Sequence, residues 1–465
     1  MISILILLLA ASAGCLALAA TTDLLHVRPR WAGLLVVLGT GTLFGFGASS
    51  LLFTFVCAWL GQTVWILIGL EVAALGAVLV VISRKPIGGS EASPEPPSAA
   101  PLYPFILLTV LLLTLLLATT SFYSGWDSNP QGNWDAWSIW NLRAKFMAGD
   151  GGVAPRAWSP QLVETHPEYP LLLPGLVASA WKASGTVSPA APIAAGYLFF
   201  LSLVSIATGG FTLLRGRTLG LLFGIVLMAC PALLYEVATQ YADVPLAAYF
   251  LGAVLLLLLG RPEIAGVMAA LAAWTKQEGQ LFFLIFLILL LVFKRAHALR
   301  ALAGAVLPLL LVMLFQVFMA PHGATPALAH LADLSRYGTI GAAFFRQFWD
   351  LGAGWLHPIL PVLVLGLVLR LDRRQYTSVL LGGLSLLGLL AGYFVVYLTS
   401  SNDLTWYLST SLNRLFVQLW PLMLLTAFLA LRRPEELATV ETVAPGLSRA
   451  ERRHPSKNKR NVAAS

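Results

Sequence analysis

Apolar residues occur along this chain in long continuous runs, separated by short polar segments. Many runs reach about 20 residues, the length an α-helix needs to cross roughly 30 Å of hydrocarbon. They do not alternate with polar residues as the strands of a membrane barrel do. The pattern predicts an all-α polytopic bundle with about 13 spans. These cover residues 1–20, 31–52, 62–82, 102–122, 190–213, 217–235, 243–260, 263–275, 278–293, 301–320, 354–369, 376–398 and 414–431.

The basic residues lie in small clusters between apolar runs. The formal charge is +8, but only 11% of the residues are charged against 58% hydrophobic ones. The positive-inside rule explains such clusters as cytoplasmic loops, so no nucleic-acid partner is expected. All of them can be cytoplasmic if residues 171–181, about ten residues, do not cross the bilayer. The clusters are Arg28/Arg30, Arg84/Lys85, Arg215/Arg217, Arg261, Lys294/Arg295, Arg370/Arg373/Arg374 and Arg432/Arg433.

A Pro/Ser/Glu-rich stretch, "KPIGGSEASPEPPSAAP", divides the chain. We expect a flexible cytoplasmic linker at 83–101, because this composition cannot form a packed core. N-terminal membrane helices at 1–82 precede it, and a larger membrane module at 102–432 follows. The tail, 433–465, is predicted to be a disordered basic cytoplasmic end. The first 20 residues lack the basic start of a signal peptide, so they are interpreted as a span that is not cleaved.

The first large outer loop, 123–170, contains "GWDSNPQGNWDAWSIWNLRAKF" directly after a membrane-length helix. Asp127 lies in a turn-forming context, and Asp135 lies in the first turn of a predicted helix. That helix is expected to be amphipathic and to lie in the membrane interface, with tryptophans as anchors. Asp135 either complements the helix dipole or carries a function, and the pattern leaves both open. The predicted apolar face consists of Ala136, Trp137, Trp140, Ala144 and Met147.

Further ionisable residues gather at the outer ends of later spans. His166 and Glu168 stand in "ETHPEYPLLLPG", where they either contact a ligand or lie in the wet headgroup zone. Asp243 opens a helix in "YADVPLAAYF", where a capping role is also open. In "WTKQEG", Lys276 forms an ion pair with Glu278 or with the nearby Asp243, or it is a phosphate-binding cation at a broken helix. Arg414, at the start of the last predicted span, has a donor geometry suited to phosphate.

Five segments together resemble the GT-C superfamily of membrane glycosyltransferases. The similarity is greatest to bacterial members related to protein O-mannosyltransferases and aminoarabinose transferases. It covers about residues 103–432, and it implies that Asp135 is the functional loop carboxylate and Lys276 the turn lysine. The chain departs from the family in having Asp-Ala where an acidic pair is usual, and in three additional N-terminal spans ahead of the helix that leads into the loop. The segments are "GNWDAWSIWNLRAKF", "HPEYPLLLPG", "YADVPLAAYF", "WTKQEG" and "NRLFVQLWP".

The resemblance implies a multi-pass enzyme of the bacterial inner (plasma) membrane with its site facing the periplasm. It would transfer a sugar from a polyprenyl-phosphate donor to a glycan, lipid or protein acceptor by inverting displacement, with Asp135 acting on the acceptor hydroxyl. Lys276 and Arg414 would neutralise the departing phosphate. No cofactor is implied with certainty, and a divalent metal ion is left open. The other residues expected to contact substrate are Asp127, Trp134, His166, Glu168, Asp243 and Glu278.

Two other classes remain open. A transporter or flippase of lipid-linked sugars would place polar residues near the middle of the bilayer, often at broken helices. Here the polar residues are predicted to cluster at one face. A non-catalytic membrane scaffold is the third class, although a polar loop rich in Trp and Asp would be unusual for it.

Overall fold

Every regular element that the structure describes is a helix. The computed structural model describes residues 1–84, 103–149, 153–162, 165–323, 325–352 and 357–436. Most of the predicted linker and tail therefore lie outside the described residues. The helices are α1 (Ile2–Thr21), α2 (Arg30–Leu52), α3 (Val64–Arg84), α4 (Tyr103–Ser128), α5 (Asn141–Ala148), α6 (Leu172–Ser184), α7 (Ala190–Ser205), α8 (Phe211–Arg215), α9 (Arg217–Met228), α10 (Pro231–Ala238), α11 (Asp243–Leu258), α12 (Pro262–Thr275), α13 (Gln277–Phe293), α14 (Arg295–Phe318), α15 (Leu334–Asp350), α16 (Leu360–Leu369), α17 (Tyr376–Thr399) and α18 (Leu404–Leu429).

Their length and composition make the chain a multi-pass helical membrane protein. In the described ranges, seven helical segments are long and apolar enough to cross a bilayer. The number is eight if α9 and α10, which meet at 65°, form one broken span. Several other predicted spans are shorter apolar helices of 10–17 residues, below the usual 17–25 for a crossing. The expectation of about 13 spans therefore stays a prediction, whereas the all-helical architecture is confirmed.

The N-terminal helices pack into the rest of the bundle. The Ser50 hydroxyl of α2 donates to the Leu171 carbonyl (3.0 Å) and accepts from Trp274 Nε1 of α12 (3.1 Å). Tyr249 of α11 donates to the carbonyl of Leu43 at 2.8 Å. Polar atoms inside a membrane protein must find partners within the protein. These bonds therefore fix α2 against the helices that follow the linker.

The helix at the tryptophan-rich stretch differs from the predicted amphipathic helix. Residues Ala136–Trp140 form a π-helical segment ahead of α5. A π turn contains an extra residue, so it rotates the side chains that follow out of the 3.6-residue phase. Consequently Trp137 is 46% exposed although it belongs to the predicted apolar face, and Asn141 is buried although it lies outside that face. Trp140 is buried and stacks on Tyr169, so this face packs against protein. A location of the helix in the membrane interface stays a prediction.

The short segment after the loop is enclosed by protein. Helix α6 has 13 residues, and those from Leu172 to Trp181 are all buried. At 1.5 Å per residue it spans about 20 Å, less than the roughly 30 Å of hydrocarbon. This length agrees with the condition that residues 171–181 do not cross the bilayer.

Three of the predicted cytoplasmic cation clusters meet at one end of the bundle. Arg215 donates to Asp372 at 3.0 Å, and both side chains are nearly inaccessible. Arg374 also binds Asp372, and Leu371 pairs with Leu431 in an antiparallel bridge. The hydrogen bond from Arg374, with help from Arg215, outweighs burial and lowers the pKa of Asp372 to about 2. Asp372 therefore remains ionised and joins the ends of α8, α17 and α18.

Helices α12 and α14 pack at backbone contact. A Cβ on Gly266 would lie 1.8 Å from the Ala301 carbonyl oxygen, and one on Gly304 would lie 2.0 Å from that of Glu263. Membrane helices use small residues in this way, because van der Waals packing drives their association. The contact fixes α12, whose end carries Lys276.

We expect Gly266→Val to destabilise the protein, because the valine side chain must push α12 away from α14. Overpacking of this kind costs about 1–3 kcal/mol, which thermal unfolding in detergent would register as a lower Tm. Gly383→Val in α17, where a Cβ meets nothing within 4 Å, is the matched control. Equal Tm values for the two variants would contradict the backbone contact.

Candidate functional site

The centre of the site is an ion pair between the loop 123–170 and α18. Arg414 Nη1 donates to Asp135 Oδ2, and the two side chains are only 13% and 17% exposed. The guanidinium carbon also lies 5.0 Å from the centroid of the Tyr241 ring, within the range of a cation–π interaction. The hydroxyl oxygen of Tyr241 accepts a hydrogen bond from the Asp135 amide at 3.3 Å. Tyr241 thus contacts both members of the pair.

Arg414 lies further inside its helix than the sequence suggested. It was placed at the start of the last span, but α18 begins at Leu404 and is capped by Asp403, which accepts from Trp406 N at 2.8 Å. The polar run before Arg414 continues the helix instead of ending it. Arg414 is about 22 Å from Leu429 at 1.5 Å per residue. The site is therefore well separated from the cation clusters at the other end of α18.

Lys276 forms the second ion cluster, at the break between α12 and α13. Its backbone is extended, which turns the side chain out of both helices. Nζ lies 3.1 Å from Asp243 Oδ1 and 2.9 Å from Glu278 Oε1. Lys276 and Asp243 are 7% and 1% exposed, whereas Glu278 is 19% exposed. The lysine thus bridges two carboxylates, and the one on Glu278 retains contact with solvent.

A buried glutamine that the sequence analysis missed orients Asp243. Gln418, one turn beyond Arg414 in α18, donates through Nε2 to Asp243 Oδ1. Its Oε1 accepts a 2.8 Å hydrogen bond from Tyr393. Because a phenol donates to the amide oxygen, the amide nitrogen is left to face the carboxylate. Gln418 lies four residues after Arg414, so the two side chains share one face of a helix. This spacing identifies Gln418 as a site residue only once the structure shows that this face points into the site.

Glu236 is the other acid at this centre. The sequence analysis gave it no role. In the structure it is 3% exposed and accepts a 3.2 Å hydrogen bond from Thr239. It lies close enough to Asp243, Arg414 and Lys276 to interact with each of them electrostatically. Because it belongs to a short helix between two bends, its inward direction could not be deduced from the pattern.

His166 and Glu168 form a separate pair beside the centre. His166 Nδ1 lies 3.0 Å from Glu168 Oε1, and the imidazole ring stacks on Tyr169. Burial disfavours the charged form of Glu168, but the hydrogen bond with His166, a backbone hydrogen bond and the positive charge of Arg143 together outweigh burial and hold the pKa of Glu168 below its ordinary value. Tyr169 in turn interacts electrostatically with Lys276 and Glu278. The pair is thus linked to the site through Tyr169 and contributes no direct ion contact to it.

Asp127 and Trp134 lie at the edge of the site. Asp127 is exposed in the last turn of α4, and within the described part of the chain it makes no ion pair. Trp134 is 64% exposed and packs edge-on against Trp137 at 4.5 Å. The structure therefore brings together Asp135, Asp243, Lys276, Glu278 and Arg414 from four distant parts of the sequence. It leaves Asp127 and Trp134 on the outer surface of the loop.

The loop is held in place by Arg143, which the sequence analysis also missed. This side chain is fully buried and donates to the carbonyl oxygens of Ala157, His166, Pro167 and Tyr169 at 2.8–3.2 Å. An arginine can bind several carbonyls at once because its donors point in fixed, diverging directions. Arg143 thus fixes the backbone on both sides of the His166–Glu168 pair.

The chain matches no protein-family model, and neither curated proteins nor solved structures gave a significant match. The site is therefore interpreted from its own chemistry. In the described ranges, no group of three or more His, Cys, Asp or Glu side chains is arranged to hold a metal ion. What the structure presents is a set of half-buried and buried carboxylates, each within reach of a lysine or an arginine.

We expect Arg143→Lys to loosen the loop, because a lysine cannot reach four carbonyl groups. Lost hydrogen bonds to a charged group cost on the order of 2–3 kcal/mol. Proteinase K should cut the variant faster between residues 153 and 170 than it cuts the wild type. The control is Arg156→Lys, the same change at an exposed position of the same loop. Equal cleavage rates for the two variants would show that Arg143 does not hold the loop.

Proposed function

We propose that the protein is an integral-membrane glycosyltransferase of the bacterial inner membrane. It transfers a sugar from a polyprenyl-phosphate donor to an acceptor hydroxyl on the extracytoplasmic face. The observation that carries this proposal is the contact between Asp135 and Arg414. It joins a loop carboxylate to a cation in the last long helix, next to the buried Lys276. A base and two phosphate-neutralising cations at one place are what this transfer needs.

The reaction proceeds as an inverting displacement. The acceptor oxygen attacks the anomeric carbon while the bond from that carbon to the phosphate oxygen breaks. The bonding electrons leave with the phosphate, whose negative charge increases, and the hydroxyl proton passes to Asp135. Arg414 and Lys276 stabilise the charge that develops on the phosphate. Asp135 is restored when it releases its proton to water.

Both cations are paired with carboxylates in the structure, so the donor must compete for them. Phosphate binds a guanidinium through the same two-pronged geometry as a carboxylate. A donor phosphate that takes Arg414 releases Asp135 and leaves it free to accept a proton. Glu278, which keeps contact with solvent, can likewise leave Lys276 at low cost. The ion pairs thus stabilise the site in the absence of donor, and they separate when the donor phosphate binds.

A flippase of lipid-linked sugars is the second candidate, since the bend between α9 and α10 and the break at Lys276 both flank the site. Broken helices of this kind form the binding sites of many transporters. The two candidates differ in their product. A transferase cleaves the sugar–phosphate bond, whereas a flippase moves the intact lipid across the bilayer.

The test uses purified protein, a polyprenyl-phosphate donor with a radiolabelled sugar, and candidate acceptors. We expect the wild type to release the label from the lipid, and Asp135→Asn to lose at least 100-fold in rate, since general-base catalysis contributes about 10²–10⁴-fold. Asp127→Asn, the same change at an exposed position of the same loop, is expected to keep full activity. Retained turnover in Asp135→Asn would contradict the role of this residue. Label that crosses the bilayer on intact lipid would favour the flippase.

A further inference from the structure

The site contains more acids than bases. Two ion clusters, one centred on Arg414 and one on Lys276, include every ionisable group of the site except Glu236. With every carboxyl ionised, four negative charges would face two positive ones inside the bundle. An unpaired carboxylate removed from water is so costly that it binds a proton instead. The six groups are Asp135, Glu236, Asp243, Glu278, Lys276 and Arg414.

We propose that Glu236 is a neutral carboxylic acid at pH 7, and that this proton keeps Arg414 and Lys276 available to the donor phosphate. Glu236 is 3% exposed, and within the described part of the chain it forms no ion pair of its own. Its single side-chain partner is the hydroxyl of Thr239. Asp243, by contrast, receives hydrogen bonds from Lys276 and Gln418. When two nearby carboxyl groups compete, the one with the closer cation and more hydrogen-bond donors ionises, and the other keeps the proton.

The groups around Glu236 favour this distribution of charge. Arg414 and Lys276 lie near it, but both are already in ion pairs. Arg414 is paired with Asp135, and Lys276 is paired with Asp243 and Glu278. The elements that pack against α10 are α4, α7, α9, α11 and α18. The ionisable residues that these elements carry toward this end, and those in the adjoining turns, are Tyr123, Asp127, Tyr197, Tyr241, Asp243, Lys276 and Arg414.

The effect of Glu236 on donor binding rests on the proposed function, whereas the protonation state of Glu236 does not. An ionised Glu236 would compete with phosphate for both cations and add a repulsive charge beside it. As the pH rises and Glu236 loses its proton, the donor must therefore bind less tightly. Glu236 would act through the two cations, so it is a positioning residue and not a catalytic one.

The first experiment measures the proton directly, by infrared difference spectroscopy of the purified protein at pH 7. We expect a carbonyl band of a protonated carboxylic acid in the wild type that Glu236→Gln removes. Glu71, a second buried acid whose carboxyl oxygens have no hydrogen-bond partner in the described residues, is expected to give its own band. Glu71→Gln should remove that band alone. If Glu236→Gln leaves the spectrum unchanged, Glu236 is ionised and the proposal is wrong, whether or not the protein transfers sugar.

The second experiment measures the KM for the donor against pH. Glutamine is shaped like a protonated glutamate and stays neutral at every pH, so Glu236→Gln is the variant that removes the titration without adding a charge. In the wild type, KM should rise about tenfold per pH unit once Glu236 ionises, and in Glu236→Gln this rise should be absent. Glu71→Gln should keep the rise. A rise of equal size in the wild type and in Glu236→Gln would exclude Glu236 as its cause.

Discussion

A charge buried in a membrane bundle must have a partner, and the architecture of this protein follows from that constraint. Asp135 comes from a loop and Arg414 from the last long helix, and neither is tolerated inside the bundle without the other. The same holds for Lys276, which a break between two helices turns toward Asp243 and Glu278. The ion pairs therefore hold the docked loop on a bundle whose helices are positioned by close packing.

The class of the protein follows from its sequence because membrane-length apolar runs exclude other folds. The grouping of Asp135, Asp243, Lys276 and Arg414 was also predictable, since ionisable residues at the same ends of several spans must meet. Arg143, Glu236 and Gln418 were not predictable as partners. Which way such a side chain points depends on helix rotation, and a π segment such as Ala136–Trp140 changes that rotation without a sequence signal.

The frame around the site is built from close backbone contacts. Gly266 and Gly304 allow α12 to lie directly against α14, and Ser50 links α2 to both Trp274 and the start of α6. The positions of Lys276 and of the loop carboxylates are thereby set by elements that carry no charge at the site. The section ahead of the linker contributes α2 to this frame, and the division of the chain into two membrane sections stays a prediction.

The separation of Asp135 and Arg414 by 279 residues also constrains biosynthesis. A chain is inserted into the membrane from its N-terminus as it is translated, so the loop is completed long before α18 exists. Until the ribosome has delivered α18, the loop can already bond to Tyr241 through the Asp135 amide, but the Asp135 carboxylate has no arginine partner. Helix α18 therefore completes the site, and a nascent chain halted before it would leave that carboxylate without its cation.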